Sequence, residues 1–147
     1  MEIDQDFKEF ITLLNKHDVK YLVVGGYAVG AYGFPRYTGD IDFWISANKD
    51  NAERIVKALL EFGFGSLDIN ESDFLKTNFV VQLGYPPNRI DILTGVSGLD
   101  FQECWNEKKI IESNGIEINF ISLHHLKINK KISGRDKDKL DLKNLPK

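Results

Sequence analysis

The segment Asp40–Ile45, with the sequence DIDFWI, constrains the fold of this chain more than any other. Successive side chains of a β-strand point to opposite faces, so its alternating start predicts a strand with one apolar face. The opposite face carries both carboxylates, Asp40 and Asp42, about 6.6 Å apart along the chain. Trp44 shares that face, where it either lines a pocket or packs in the core. The side chains expected in the core are Ile41, Phe43 and Ile45.

The remaining elements follow from apolar periodicity and from breaks at glycine and proline. Helices are predicted over about 5–17 and 49–62, with a short helix between Gly26 and Pro35 and another between the strands at 89–93 and 117–121. Ser122 is expected to cap the first of two C-terminal helices spanning about 122–145, with an interruption at Gly134. This order predicts an α/β (α+β) fold, a small mixed β-sheet with flanking helices mostly on one face. The predicted strands are Tyr21–Val24, Asp40–Ile45, Phe79–Leu83, Arg89–Leu93 and Glu117–Ile121.

Length and composition are those of an ordinary globular domain. The chain has 147 residues, 42% of them hydrophobic and 28% charged, and we expect one domain over residues 1–147. The single cysteine, Cys104, excludes an intramolecular disulfide, and no Cys/His cluster offers a zinc site. No apolar run approaches the roughly 18 residues that a membrane span needs, so we expect a cytoplasmic protein without membrane contact.

Charge is distributed unevenly along the chain. Residues 1–123 contain 11 Lys and Arg against 19 Asp and Glu, whereas residues 124–147 contain 8 against 3. The C-terminal segment is therefore basic in a protein whose formal net charge is −3. Such a segment either attracts the phosphates of a nucleotide or nucleic acid, or forms a solvated helix rich in lysine.

Two carboxylates on one strand face repel each other. At an effective dielectric constant of about 20, the separation of Asp40 and Asp42 corresponds to about 2.5 kcal/mol of repulsion before solvent screening. A divalent cation would relieve it, and oxygen ligands without cysteine or histidine favour Mg²⁺, with Mn²⁺ as a substitute. The alternative is that Asp-x-Asp merely solubilises an exposed edge strand.

A third carboxylate, Asp91, interrupts the otherwise apolar strand at 89–93. If this strand lies beside Asp40–Ile45, the three acids meet and can hold two metal ions, an arrangement typical of phosphoryl transfer. The alternative role of Asp91 is a salt bridge to Arg89 or to a lysine.

Gly25 and Gly26 follow a buried strand and open a helix, where unpaired backbone amides and the absence of a Cβ suit a phosphate. Thirteen residues separate Gly26 from Asp40, enough for a short helix and a return into the neighbouring strand. The glycines are then expected to lie beside the aspartates. Alternatively, Gly-Gly marks only a tight turn, because neither GxGxxG nor GxxxxGK[ST] is present.

These features together resemble the signature of the nucleotidyltransferase (DNA polymerase β-like) superfamily. The matching residues are Val24-Gly25-Gly26, Asp40-Ile41-Asp42-Phe43 and Arg89-Ile90-Asp91-Ile92-Leu93. Within it, residues 24–29 and 35–42 look like small bacterial proteins related to the abortive-infection nucleotidyltransferase toxins. The C-terminal Lys130, Ser133-Gly134-Arg135, Lys137-Asp138 and Asp141-Leu142 look like the closing motif of that group.

The resemblance implies the nucleotidyltransferase fold and a reaction in which a hydroxyl attacks the α-phosphate of an NTP, releasing pyrophosphate. It implies that Asp40, Asp42 and Asp91 are catalytic and bind Mg²⁺, and that the NTP contacts Gly25, Gly26, Arg36, Thr38 and Lys130. The residues themselves leave other roles open. Arg36 can pair with a surface acid and Thr38 can be a turn hydroxyl. Lys130 can be structural, with Lys127 or Lys131 in its place, whereas we expect Asp138 and Asp141 to be structural.

The resulting prediction is a Mg²⁺-dependent nucleotidyltransferase with tRNA, a protein or a small molecule as acceptor. The alternatives are a domain that binds nucleotide without chemistry, and one half of a toxin–antitoxin module acting with a partner protein. Since only about 25 residues follow Ser122, we expect the acceptor to be bound by a loop, a second subunit or a separate partner.

Overall fold

Six strands form one mixed sheet in a computed structural model that describes residues 3–65 and 68–147. The strands lie in the order β3-β4-β2-β1-β6-β5. Their bounds are β1 Tyr21–Val24, β2 Asp40–Ile45, β3 Val80–Leu83, β4 Arg89–Leu93, β5 Lys109–Ser113 and β6 Ile116–Phe120.

Six α-helices flank the sheet in the described residues, and capping side chains fix where several of them begin. Asp4, Asn48 and Ser122 each accept a hydrogen bond from a first-turn amide, as residues before a helix commonly do. A short 3₁₀ helix covers Glu71–Leu75. The α-helices are α1 Gln5–Lys16, α2 Gly25–Ala31, α3 Lys49–Phe62, α4 Phe101–Asn106, α5 Leu123–Ser133 and α6 Asp136–Asn144.

The central strand β2 pairs with β4 in parallel and with β1 in antiparallel orientation. Strand β1 also pairs with β6 in parallel, and the hairpins β3–β4 and β5–β6 complete the sheet. Asp42 is the register partner of Asp91 on one side and of Val24 on the other. This register aligns the end of β1 with the acidic residues of β2 and β4.

The apolar face of β2 lies in the hydrophobic core, as its alternation predicts. Phe43 packs edge-on against Phe10 of α1 at 5.4 Å between ring centroids, and Phe10 meets Phe62 of α3 at 5.2 Å. On the other face, Trp44 is 2% exposed and packs edge-on against Phe101 of α4 at 5.2 Å. Trp44 is therefore a core residue, and the acidic end of β2 is the part left open.

The mixed sheet with flanking helices confirms the predicted fold class. Two elements were not predicted, β5 and the 3₁₀ helix, and β6 begins and ends one residue earlier than expected. No helix in the described part of the chain is both long and apolar enough to cross a bilayer.

Candidate functional site

Three carboxylates meet where β2 and β4 run side by side. Asp42 and Asp91 are register partners on the parallel strands, and Asp40 lies two residues before Asp42 on the same face. One oxygen from each of the three lies within 4.8 Å of the others. The structure thus brings together the three acids that the sequence analysis singled out.

Partial burial changes the proton affinity of this cluster. Burial, reinforced by the charges of Asp40 and Asp91, raises the pKa of Asp42 to about 7. Burial and the hydrogen bond shared with Asp40 also raise the pKa of Asp91. For Asp40 burial acts in the same direction, but hydrogen bonds with Asp91, Arg89 and Thr38 outweigh it and lower its pKa. Without a cation, the cluster therefore retains a proton up to near-neutral pH.

Arg89 compensates part of this negative charge. Its Nε and Nη2 donate to the two oxygens of Asp91 at 2.9 and 3.0 Å, and Nη2 also donates to Asp40 at 2.7 Å. The salt bridge considered as an alternative role for Asp91 is therefore present together with the acid cluster. Arg89 lies two residues before Asp91, so the period of two along a strand was the signal that could have placed it in the site.

Gly25 and Gly26 lie beside the acids, as their position after β1 predicts. Gly25 has φ +69°, and a Cβ there would collide with the carboxylate of Asp42. A Cβ on Gly26 would lie 3.0 Å from the Cβ and Oγ1 of Thr38. The glycines thus have a packing role that the sequence did not reveal, because they let Asp42 and Thr38 approach the backbone of α2.

Thr38 and Arg36, in the loop before β2, hold two different carboxylates. Thr38 Oγ1 lies 3.0 Å from Oδ1 of Asp40 and 3.1 Å from its backbone oxygen, which orients that acid. Arg36 makes a two-point ion pair with Asp141 of α6 through Nε at 2.8 Å and Nη2 at 2.9 Å. The partner of Arg36 is therefore a fully buried acid rather than the surface acid considered above.

Lys130 is buried at the centre of the same network. Its Nζ lies 3.1 Å from Asp138 and 3.0 Å from Asp141, and Arg135 also donates to Asp138 at 2.8 Å. Burial opposes ionisation of Asp138, but hydrogen bonds from Arg135 and Lys130 outweigh it and lower its pKa. Asp138 and Asp141 are structural, as predicted, whereas the charge of Lys130 is already compensated by two carboxylates.

The three acids, Arg89, Thr38 and the two glycines line a cavity of about 330 Å³, which we call the acid cavity. Arg36 and Lys130 both line it, although their charges are paired.

Lys137, at the start of α6, also lines the cavity, and its charge acts on Asp42. Within residues 3–65 and 68–147, no carboxylate lies within ion-pairing distance of Lys137. In the sequence, Lys137 stands out only as part of the C-terminal motif, because nothing distinguishes it from the neighbouring lysines.

The acid cluster fits a divalent ion of the Mg²⁺ or Mn²⁺ class. Three carboxylate oxygens within 4.8 Å of one another form a hard ligand set, which these ions prefer. Burial disfavours the ionised form of Asp42, and a nearby double positive charge would offset that cost. The ligands would be Asp40, Asp42 and Asp91.

Comparison with solved structures supports the fold assignment. A Thermotoga maritima protein, provisionally assigned as a nucleotidyltransferase, superimposes with a TM-score of 0.62 over 93% of this chain and 88% of its own. The two sequences are 18% identical, so the likeness concerns the fold. No protein-family model matches the chain, and no curated protein sequence matches it.

Proposed function

We propose that this protein is a Mg²⁺-dependent nucleotidyltransferase that transfers NMP from an NTP to a hydroxyl group and releases pyrophosphate. The convergence of Asp40, Asp42 and Asp91 beside Gly25 and Gly26 carries this proposal. The fold shared with the Thermotoga maritima protein supports it independently. An acid cluster alone would suit many cations. The glycine turn (Gly25 and Gly26) and the basic residues Arg135 and Lys137 line the same cavity, and together they favour a polyphosphate ligand.

The acids would hold the divalent ion, which supplies electrostatic stabilisation to the phosphate oxygens and lowers the pKa of the attacking hydroxyl. Thr38 fixes the position of Asp40, so that this carboxylate is preorganised. With the ion bound, all three carboxylates would be ionised, so Asp42 would lose the proton that it retains without the ion.

The triphosphate would lie between the glycine turn and the cations at the junction of α5 and α6. Gly25, Gly26, Arg135 and Lys137 all line the acid cavity. We assign the direct phosphate contact to Lys137, because Lys130 is already engaged by Asp138 and Asp141. Lys130 and Arg36 would then act by holding α6 and Lys137 in place.

The test is incubation of the purified protein with each α-labelled NTP and Mg²⁺, with total tRNA and with cell protein as separate acceptors. Transfer of label that requires Mg²⁺ and is lost in the Asp42→Asn variant would support the proposal. Measured NTP binding without labelling of any acceptor would contradict nucleotidyl transfer. Unchanged Mg-NTP affinity in Asp42→Asn would contradict the site itself.

Arg89 favours a second candidate, a nucleotide-binding domain without transfer chemistry. Its guanidinium already bonds to two of the three acids, so it can stabilise the cluster in place of a metal ion. In that case NTP affinity should be insensitive to EDTA. A metal requirement for binding therefore separates the two candidates.

A further inference from the structure

A second cavity, of about 450 Å³, lies between α2 and the loop at residues 35–38. It shares three lining residues with the acid cavity, Gly26, Arg36 and Thr38. The two cavities are therefore neighbours, with Gly26, Arg36 and Thr38 on their common border. We call the second one the α2 cavity.

Size indicates that the acid cavity accommodates only part of a nucleotide. At about 330 Å³ it lies near the lower end of ligand pockets, which run from about 300 to 1,000 Å³. A triphosphate and its ion account for the charged groups there, whereas a nucleoside needs further space with different chemistry. The α2 cavity provides that space directly beside Gly26.

The α2 cavity has the chemistry of a site for a planar, uncharged group. Two tyrosines line it, and the described residues around it include no carboxylate. Tyr27 is fixed by an edge-on contact with Phe7 at 5.6 Å between ring centroids. Tyr37 is 78% exposed, so its ring lies at the rim, free to stack on a ligand. Aromatic side chains of this kind bind nucleobases through their faces.

Gly30 keeps the α2 cavity open although its own packing does not require glycine. The atom nearest to an added Cβ would be Cα of Pro35 at 3.9 Å, an ordinary contact, and the backbone of Gly30 is not left-handed. Glycine inside a helix is less favourable than alanine by about 1 kcal/mol. Retaining glycine at this position of α2 therefore costs local stability while leaving space beside Pro35.

We propose that the α2 cavity receives the nucleobase of the NTP whose triphosphate lies against the acids and the glycine turn. This inference rests on the proposed function and adds the position of the base. The base would stack on Tyr37, and Gly30 would provide the floor on which it lies.

The experiment measures, by calorimetry without an acceptor, the affinity of Mg²⁺ complexes of the four NTPs and of inorganic tripolyphosphate. The variants are Gly30→Leu, which fills the α2 cavity, and Gly30→Ala, its matched control. For the native protein we expect at least one NTP to bind about tenfold or more tightly than tripolyphosphate. Gly30→Leu should abolish this preference for the NTP and leave the affinity for tripolyphosphate within about twofold of the native value. Gly30→Ala should retain most of the preference.

A second pair, Tyr37→Ala and Tyr37→Phe, decides the matter if Gly30→Leu fails to fold, since Tyr37 is mostly exposed. Loss of stacking in Tyr37→Ala should weaken NTP binding about five- to tenfold, and Tyr37→Phe should bind as the native protein does. The base site would be overturned if the native protein bound NTP and tripolyphosphate equally, or if both Gly30→Leu and Tyr37→Ala kept the native NTP affinity. Either result would leave the proposed function standing. Failure of the native protein to bind either ligand would overturn both.

Discussion

Arg36 and Asp141, 105 residues apart in the chain, form a two-point ion pair with distances of 2.8 and 2.9 Å. The pair fastens α6 to the loop that precedes the acidic strand β2. Lys130 adds a further contact to Asp141 at 3.0 Å, so one buried carboxylate joins three segments of the chain. The pairs thereby hold α5 and α6, which carry Lys130 and Lys137, beside the loop before β2.

Asp141→Asn should lower the free energy of unfolding by about 3 kcal/mol, because it leaves Arg36 and Lys130 short of a negative partner. Urea denaturation at neutral pH measures the change. Asp136→Asn, at an exposed position on the same helix, serves as the control and should cost less than about 1 kcal/mol. Equal losses in the two variants would contradict the structural role of the network.

The acid cluster should make the metal-free protein less stable as pH rises from about 4 to 7. The pKa of Asp42 rises from 3.8 unfolded to about 7 folded, so in this window the folded state binds more protons than the unfolded state. Asp42→Asn removes this contribution. Its gain in unfolding free energy over the native protein, measured in EDTA, should increase across the window to an upper limit of about 4 kcal/mol and level off above it. A gain that is constant with pH would contradict the raised pKa.

Arg89→Gln should strengthen Mn²⁺ binding by about three- to tenfold, because the guanidinium no longer competes for Asp40 and Asp91. Titration followed by electron paramagnetic resonance at low ionic strength measures free Mn²⁺. Arg54→Gln, on α3 and outside the residues that line the acid cavity, is the control for the loss of one charge. Weaker Mn²⁺ binding in Arg89→Gln than in the control would show that Arg89 supports the ion site rather than competing with it.

Gly25→Ala should destabilise the protein more than Gly115→Ala. Both glycines have left-handed backbones, with φ +69° and +80°, so both variants incur the strain of a side chain there. Only at Gly25 would the new Cβ collide with Asp42, whereas nothing lies within 4 Å at Gly115. We expect an extra loss of about 1–3 kcal/mol in thermal or urea unfolding and a loss of Mg²⁺ binding. Equal effects would mean that Asp42 moves aside without cost.

Lys137→Ala should weaken binding of Mg-NTP about tenfold or more, because Lys137 is the lysine that we assign to the triphosphate. Lys139→Ala, two residues further along α6, changes the net charge equally but lies outside the residues lining the cavity. Calorimetric affinities for both variants at the same ionic strength give the comparison. Equal weakening would indicate that only the overall positive charge of the segment matters.

The strands that carry the site were predictable because their signals are local. DIDFWI and the apolar strand around Asp91 specify their own faces, and Gly25-Gly26 specifies the turn after β1. The side-by-side position of Asp42 and Asp91 could be predicted only on the assumption that their strands are neighbours. The register between strands whose residues lie 49 positions apart depends on the whole sheet.

The sequence did not reveal which charged side chains form ion pairs, because tertiary packing determines those pairs. Arg36, Lys130 and Lys137 are all cations near the expected site. Only the position of α6 beside α5 and the loop before β2 determines which of them are paired. Strand β5 escaped prediction because Lys109–Ser113 is a partly exposed edge strand with no clean alternation. A strand at the edge of the sheet buries few side chains, so its sequence shows little hydrophobic pattern.

The candidate site combines residues that the ribosome synthesises early with residues that it synthesises last. The glycine turn and the three acids lie within residues 25–91, whereas Lys130, Arg135 and Lys137 come from the last two helices and the link between them. A ribosome-bound chain that has emerged only as far as β4 would contain the three carboxylates without Lys130, Arg135 and Lys137. The proposed activity would therefore arise only when α5 and α6 dock, so that translation would delay it until the rest of the fold is in place.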